Sequence, residues 1–126
     1  MAVQFYEETP LTLKNRKFLK GFIKDMFAAE QQPFEALRVI FCSDAYLLSI
    51  NREFLQHDYY TDIISFNLSE PSSPTVGELY ISVERVRENA STLGHRFETE
   101  LHRVIFHGVL HLCGYKDKTR GYFVDA

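Results

Sequence analysis

Apolar residues recur at two different spacings along this chain, and each spacing predicts one type of element. Between Leu11 and about Glu30 they recur every three or four positions, which predicts an amphipathic helix. Short, mostly apolar runs predict four strands, at residues 2–6, 35–42, 61–68 and 76–82. Helical patterns predict three more helices, from Asp44 to Leu55, from Ser82 to Leu93 and from Glu98 to Cys113.

Capping residues mark the ends of these helices. Ser43 and Ser82 stand at N-cap positions, and Gly94 and Gly114 stand where helices end. Helical connections between the first three strands predict parallel neighbours, whereas the short loop 69–75 predicts an antiparallel final pair. The predicted fold is a single α+β domain, in which a small mixed sheet of about four strands packs with helices.

Composition narrows the class of protein. The chain has 126 residues, of which 45% are apolar and 25% charged, and this is typical of a globular domain with its own core. No run approaches the ~18 apolar residues of a membrane span. The N-terminus lacks a signal-peptide pattern, so we expect a cytoplasmic protein whose Cys42 and Cys113 are reduced. With a net charge of −3, any nucleic-acid binding requires a local basic patch.

The segment FHGVLHLCGYKDK, at 106–118, carries the candidate chemistry. In a helix, His107 and His111 lie within about 40° of each other, one turn apart, so both imidazoles can approach one ion. Gly114 ends the helix and allows the chain to turn Asp117 back beside them. Three such ligands with one open position are typical of catalytic zinc. The sequence therefore predicts a metal-binding helix near the C-terminus with the ligands His107, His111 and Asp117.

Alternatives remain open at this point. The two histidines are equally compatible with a polar strip on a partly buried helix. Gly108 stands where zinc proteases carry their general base, so that class is disfavoured. Gly108 serves either close approach of a substrate or tight helix packing. Cys113 projects to the far side of the helix and His102 lies on another face, so both are poor ligand candidates.

Three blocks resemble one family. The segments HGVLHLCGYKD, INREFLQHDYYTDIISFN (50–67) and GELYIS (77–82) are similar, in this order, to the signature blocks of the YbeY family of rRNA maturation factors. The resemblance implies a metal-dependent endoribonuclease that acts on single-stranded RNA. It also implies ribosomal RNA as substrate, and the ribosome or small-subunit assembly components as partners. The expected cofactor is one zinc ion per chain, with other divalent metals as the alternative. We expect one such domain over residues 1–126.

Three positions and the end of the chain depart from the family pattern. Asp117 aligns with the family's third metal-binding histidine, and Glu78 aligns with an aspartate. Leu55 aligns with an arginine that is considered important for activity, which puts direct transfer of the mechanism in doubt. The chain ends eight residues after Lys118, so we expect it to lack the further helix with which the family usually continues.

These residues suggest a division of roles. Because Gly108 cannot act as a base, the candidate acids are Asp62 and Glu78, although either has a structural alternative in a turn or on a solvent-facing strand. Candidate RNA-binding cations are Lys116, Lys118 and Arg120, together with a basic face on the first helix, which is equally compatible with a solvated surface. The leading interpretation is a zinc-dependent endoribonuclease of ribosomal RNA maturation and ribosome quality control. The alternative is a weakly catalytic or non-catalytic ribosome-assembly factor whose metal mainly supports the fold.

Overall fold

The computed structural model describes residues 2–115, which form four strands and four helices. The strands are β1 (Ala2–Glu7), β2 (Phe34–Cys42), β3 (Ile63–Asn67) and β4 (Thr75–Ser82). The helices are α1 (Arg16–Ala29), α2 (Asp44–Phe54), α3 (Val83–Leu93) and α4 (Phe97–Leu112). The predicted element order and the α+β class are confirmed. None of these helices is long and apolar enough to cross a lipid bilayer.

The strands form one mixed sheet in the order β1-β2-β4-β3. β1 pairs with β2 and β2 with β4 in parallel, whereas β3 and β4 are antiparallel, as the short loop between them predicts. The expectation that α2 connects parallel neighbours is wrong. β3 and β4 form a hairpin, and it is β4, the second strand of that hairpin, that pairs with β2. β3 is therefore an edge strand that runs antiparallel to β2.

The two faces of the sheet are covered unequally, because alternate strand residues point in opposite directions. One face, called here the main face, packs on α1, α3 and α4. It contributes to their common core the residues Val3, Leu37, Val39, Phe41, Ile63, Leu79 and Ile81. The opposite face, called the α2 face, supports a smaller cluster made of Cys42, Leu47, Ile50 and Ile64. The helix with the two candidate metal ligands therefore lies on the main face.

Most helix ends follow the predicted capping residues. The Oγ atoms of Ser43 and Ser82 accept backbone N–H bonds at 3.0 and 3.1 Å, at the starts of α2 and α3. Gly94 ends α3 with a φ of 71°, a left-handed conformation that favours glycine. The first helix begins at Arg16 rather than Leu11, because Asn15 adopts a left-handed conformation with a φ of 59° and interrupts the helical pattern.

Candidate metal centre on helix α4

Helix α4 lies very close to the sheet. A Cβ atom on Gly108 would stand 2.8 Å from Cδ1 of Ile63 and 2.8 Å from Cδ2 of Leu79. A Cβ atom on Gly77 would stand 2.7 Å from Cδ1 of Leu112. At such distances, a side chain on either glycine would force the neighbouring Ile or Leu methyl groups to shift within a densely packed core. Gly108 therefore serves tight packing of α4 on β3 and β4, which decides between the two roles that the sequence left open.

The histidines share one flank of this helix. His107 and His111 each directly precede a residue that faces the sheet. Around the helix axis, each histidine is therefore rotated by about 100° from that residue, and both are rotated in the same direction. Both are half-buried. On the other flank Phe106 stacks on Phe22 of α1, with 4.7 Å between the ring centroids. Because α4 also packs on α3 and β3, the histidine flank faces that side of the molecule.

The end of α4 fixes the orientation of His111. Gly114, with a φ of 105°, ends the helix, and its N–H donates to the carbonyl of His111 at 2.9 Å. The N–H of Tyr115 donates to the carbonyl of Leu110 at 3.1 Å, which completes a Schellman motif. This turn brings the carbonyl oxygen of Tyr115 within 3.1 Å of Nδ1 of His111. Because a carbonyl only accepts, Nδ1 carries the proton and Nε2 has the lone pair.

The predicted third ligand cannot be placed. Asp117 and the predicted RNA-binding residues Lys116, Lys118 and Arg120 lie outside the residues that the structure describes. Within residues 2–115, no group of three or more His, Cys, Asp or Glu side chains could hold a metal ion. The described part of the chain thus supplies two imidazoles from one helical turn, and the coordinating role of Asp117 stays a prediction.

Cys113 and His102 do not join this site. Burial, with a smaller contribution from the charge of Glu30, raises the pKa of the Cys113 thiol to about 11. A metal requires the thiolate, so this thiol is a poor ligand at neutral pH. His102 lies beside the ring of Phe106, with 6.0 Å between the ring centroids. Both residues are therefore left out of the ligand set.

Asp62 lies directly before β3 and contacts α3. It is 2% exposed and directly precedes Ile63, whose side chain lies under Gly108 of α4. Its carbonyl oxygen accepts the N–H of Ser82 at 3.0 Å, and its Oδ2 accepts from Nδ2 of Asn89 on α3 at 3.5 Å. Of the two candidate acids, Asp62 is the one that contacts α3, the helix that packs on α4.

The prediction that groups Glu78 with the histidines is not supported by its position. Glu78 is paired with Phe66 in the β-ladder and lies on the α2 face, so the sheet separates it from α4. Nη1 of Arg38 donates to Oε2 of Glu78 at 3.3 Å, and the hydroxyl of Tyr80 donates to Oε1 at 3.1 Å. The alternation of strand residues explains the error, because position 78 has the opposite parity to the residues under α4.

Asn51 holds the segment that leads to Asp62, and this residue was not predicted from the sequence. The side chain is 1% exposed, and its Nδ2 donates to the carbonyl of Tyr59 at 3.2 Å and to Oγ1 of Thr61 at 3.0 Å. The backbone carbonyl oxygen of Asn51 accepts the N–H of His57 at 2.9 Å. The available signal was an asparagine four residues after Leu47, on the apolar stripe of α2, where a polar residue requires buried partners.

Leu55 follows α2 and packs against the cluster on the α2 face. A leucine at the position of the family arginine therefore contributes apolar contacts with its neighbours in this cluster. No charge replaces the arginine at this position. Any cation that contacts a phosphate must come from another part of the chain.

A buried ion pair precedes the histidines on the same helix and was also missed. Nε and Nη2 of Arg103 donate to the two carboxylate oxygens of Glu100 at 2.9 and 2.6 Å. The side chain of Glu100 is 0% exposed, whereas that of Arg103 is 33% exposed. The sequence signal was a glutamate and an arginine three residues apart on one side of the helix.

The donor set fits a divalent metal such as zinc. Zinc binds neutral imidazole through one ring nitrogen, and the other ring nitrogen of such a ligand commonly donates to a carbonyl or carboxylate. His111 has this arrangement, since its Nδ1 faces the carbonyl of Tyr115. The two imidazoles alone do not complete a coordination sphere, so further ligands must join them.

Comparisons with known proteins show the family to which the chain belongs. Residues 4–122 match a family model described as Endoribonuclease YbeY. The chain is 46% identical over 115 residues to the Endoribonuclease YbeY of Cytophaga hutchinsonii, covering 91% of this chain and 80% of that protein. It is 43% identical over 122 residues to the one of Parabacteroides distasonis, covering 96% and 85%. A solution structure of a Thermotoga maritima protein is similar, with a TM-score of 0.63, 28% identity and coverage of 98% and 79%.

Proposed function

Because the chain belongs to the YbeY endoribonuclease family and is thus a hydrolase of the nuclease class, we propose that it cleaves single-stranded RNA with a zinc ion. The ligands would be His107, His111 and Asp117. Ribosomal RNA would be the substrate, in the course of its maturation and of ribosome quality control. Ribosomal or small-subunit assembly components would be the partners, in the cytoplasm.

One observation carries the metal assignment, namely the hydrogen bond between Nδ1 of His111 and the carbonyl of Tyr115. It selects the tautomer in which Nε2 has its lone pair available, and it limits rotation of the ring. The Schellman turn that supplies this carbonyl is formed by the backbone. A metal ligand therefore has its orientation set before any ion binds.

Few side chains of the protein take part in the proposed cleavage reaction. His107 and His111 would hold the ion from one side of α4, where both side chains are half-buried. When bound, zinc supplies Lewis-acid chemistry, which withdraws electron density from a phosphoryl oxygen and makes water more acidic. Asp62 is the proposed proton acceptor for the attacking water, because it directly precedes β3 and contacts α3, two elements that pack on α4.

The decisive experiment compares histidines on two faces of the same helix. We expect His111→Ala to lose bound zinc, measured by elemental analysis. We also expect it to lose cleavage of single-stranded RNA by more than about 100-fold, the upper range for residues that only support a ligand. His102→Ala is the matched control and should retain both properties. Circular dichroism on all proteins separates loss of the site from loss of the fold.

Other outcomes of this experiment are equally informative. Cleavage that survives the double variant His107→Ala with His111→Ala, in preparations without contaminating ribonuclease, contradicts the metal mechanism. A wild-type protein that holds zinc and binds RNA without cleaving it favours the assembly-factor role instead. Duplex RNA of the same sequence should be cut more slowly than the single strand.

A further inference from the structure

Tyr60 is an exposed aromatic residue in the segment that joins α2 to β3, two residues before Asp62. The guanidinium of Arg85 on α3 lies over its ring, with 5.0 Å between Cζ of Arg85 and the ring centroid. Nevertheless, 49% of Tyr60 is exposed. The ring is therefore supported from one side and keeps aromatic surface on which a flat ligand can stack.

The backbone on both sides of Tyr60 is fixed by one buried side chain. Nδ2 of Asn51 donates to the carbonyl of Tyr59 at 3.2 Å and to Oγ1 of Thr61 at 3.0 Å. These two residues are the chain neighbours of Tyr60, and Asn51 itself is only 1% exposed. Because the segment is already ordered, it loses little further conformational freedom when a ligand binds to the ring.

The charge of Arg85 is already neutralised, so its role here is to support the ring. Nη2 of Arg85 donates to Oδ2 of Asp44 at 2.7 Å, and Nε donates to Oδ1 at 3.4 Å. Nη1 donates to Oε2 of Glu88, also at 3.4 Å. Each nitrogen of the guanidinium thus contacts a carboxylate, and two carboxylates surround one cation. A ligand at this place is therefore held by the aromatic ring and not by attraction of a phosphate to Arg85.

Contacts with α3 relate Tyr60 to the proposed proton acceptor. Arg85 and Asn89 are four residues apart on α3, and residues at this spacing have Cβ atoms about 5–6 Å apart. Arg85 contacts the ring of Tyr60, whereas Nδ2 of Asn89 donates to Oδ2 of Asp62 at 3.5 Å. Tyr60 and Asp62 therefore contact the same side of α3 about one helical turn apart. An RNA strand that is cleaved at Asp62 has the base of a nearby nucleotide within reach of Tyr60.

We propose that Tyr60 binds the single-stranded RNA substrate by stacking its ring on an unpaired base next to the cleaved bond. Stacking tolerates any of the four bases, because each has a π-face. In a duplex the bases are stacked on one another, so this contact favours single strands. It also adds affinity that does not depend on the net charge of −3. The inference rests on the proposed function, because it assumes that RNA binds beside Asp62.

The test separates contacts with bases from contacts with phosphates. Two short strands of equal length are compared, a 2′-O-methylated single-stranded RNA and a strand of ribose-phosphate units without bases, both checked for integrity on gels. Fluorescence anisotropy measures their affinities over a range of salt concentrations. Tyr60→Ala should weaken binding of the RNA by about 5- to 150-fold, the usual effect of one lost stacking contact. Its affinity for the base-free strand, and its slope of log affinity against log salt concentration, should equal those of the wild type.

Three further variants show whether the flat ring is what matters. Tyr60→Phe keeps the ring and should bind RNA like the wild type. Tyr60→Leu keeps an apolar cover over Arg85 without an aromatic face, so it should lose affinity as Tyr60→Ala does. Tyr6→Ala is the matched control, because Tyr6 is similarly exposed, at 43%, but lies on β1 at the other edge of the sheet. It should bind both strands normally. Circular dichroism and urea unfolding confirm that every variant is folded.

The outcomes distinguish this inference from the proposed function. If the wild type cleaves RNA and Tyr60→Ala binds it normally, the role of Tyr60 is overturned while the catalysis stands. Equal weakening of both strands in Tyr60→Ala, or an equal loss in Tyr6→Ala, also overturns it. The same holds if the wild type binds the base-free strand as tightly as the RNA. If the wild type does not cleave RNA but Tyr60→Ala loses only base-dependent affinity, the stacking contact stands and the proposed catalysis fails.

Discussion

The two faces of the sheet differ in packing and in chemistry. The main face lies under three helices, and its contact with α4 is so close that a Cβ atom on Gly108 would displace the methyl groups of Ile63 and Leu79. The α2 face is covered by one helix and retains a groove of about 390 Å³ lined by Tyr46, Ile50, Phe54, Phe66, Leu68, Glu78 and Tyr80. The candidate ligands His107 and His111 lie beside the densely packed face. This arrangement suits a metal site, because dense packing holds each ligand in a defined position.

The difference also separates the two carboxylates that the sequence grouped together. Asp62 lies directly before β3, contacts Asn89 of α3 and is almost fully buried. Glu78 lies on the α2 face and takes part in a pair with Arg38 and a hydrogen bond from Tyr80. These two carboxylates therefore have different environments, and only Asp62 contacts α3, which packs on α4.

The largest expected effect concerns catalysis by these two carboxylates. We expect Asp62→Asn to reduce RNA cleavage by about 10²–10⁴-fold, the range typical of a general base, while Glu78→Gln keeps most of the activity. Single-turnover cleavage assays measure both. A normal rate for Asp62→Asn, combined with a severe loss for Glu78→Gln, would show that the catalytic side of the sheet is wrongly assigned.

The next effect concerns packing and uses two consecutive residues of β4 that point to opposite faces. Leu79 is 0% exposed under α4, so Leu79→Ala should reduce the free energy of unfolding by about 2–5 kcal/mol. Tyr80 is half-buried on the α2 face, and Tyr80→Ala should reduce it by about 1–3 kcal/mol. Urea unfolding of both variants provides the comparison. Equal losses would mean that the two faces contribute alike to stability.

The smallest effect is the pH dependence of stability at Tyr80. Burial, followed by the charge of Glu78 and its hydrogen bond, raises the pKa of Tyr80 to about 12, above the ordinary value of 10.0. Because the folded state keeps the proton more tightly, this stabilisation is fully present below pH 10 and is lost as the pH rises toward 12. The wild type should therefore lose stability relative to Tyr80→Phe across this interval. Chemical unfolding of both proteins at several pH values measures the difference.

The sequence by itself determined the elements and part of the site. The element order, the N-caps at Ser43 and Ser82 and the helix end at Gly114 follow from local patterns, because capping and periodicity depend on residues a few positions apart. The one-turn separation of His107 and His111 likewise follows from helix geometry. The resemblance to the family, carried by three sequence blocks, supplied the expected activity and is confirmed by the family comparison.

Only the tertiary structure decided which strands and side chains meet. No local pattern indicated that β4 lies between β2 and β3, because strand order depends on how the hairpin docks on β2. That order, together with the alternation of strand residues, separates Glu78 from α4 and leaves β3 beside the histidine flank. The contact between His111 and the carbonyl of Tyr115 depends on the folded turn in the same way. Side-chain partners at a site follow from the packing of whole elements, and a one-dimensional pattern does not contain this information.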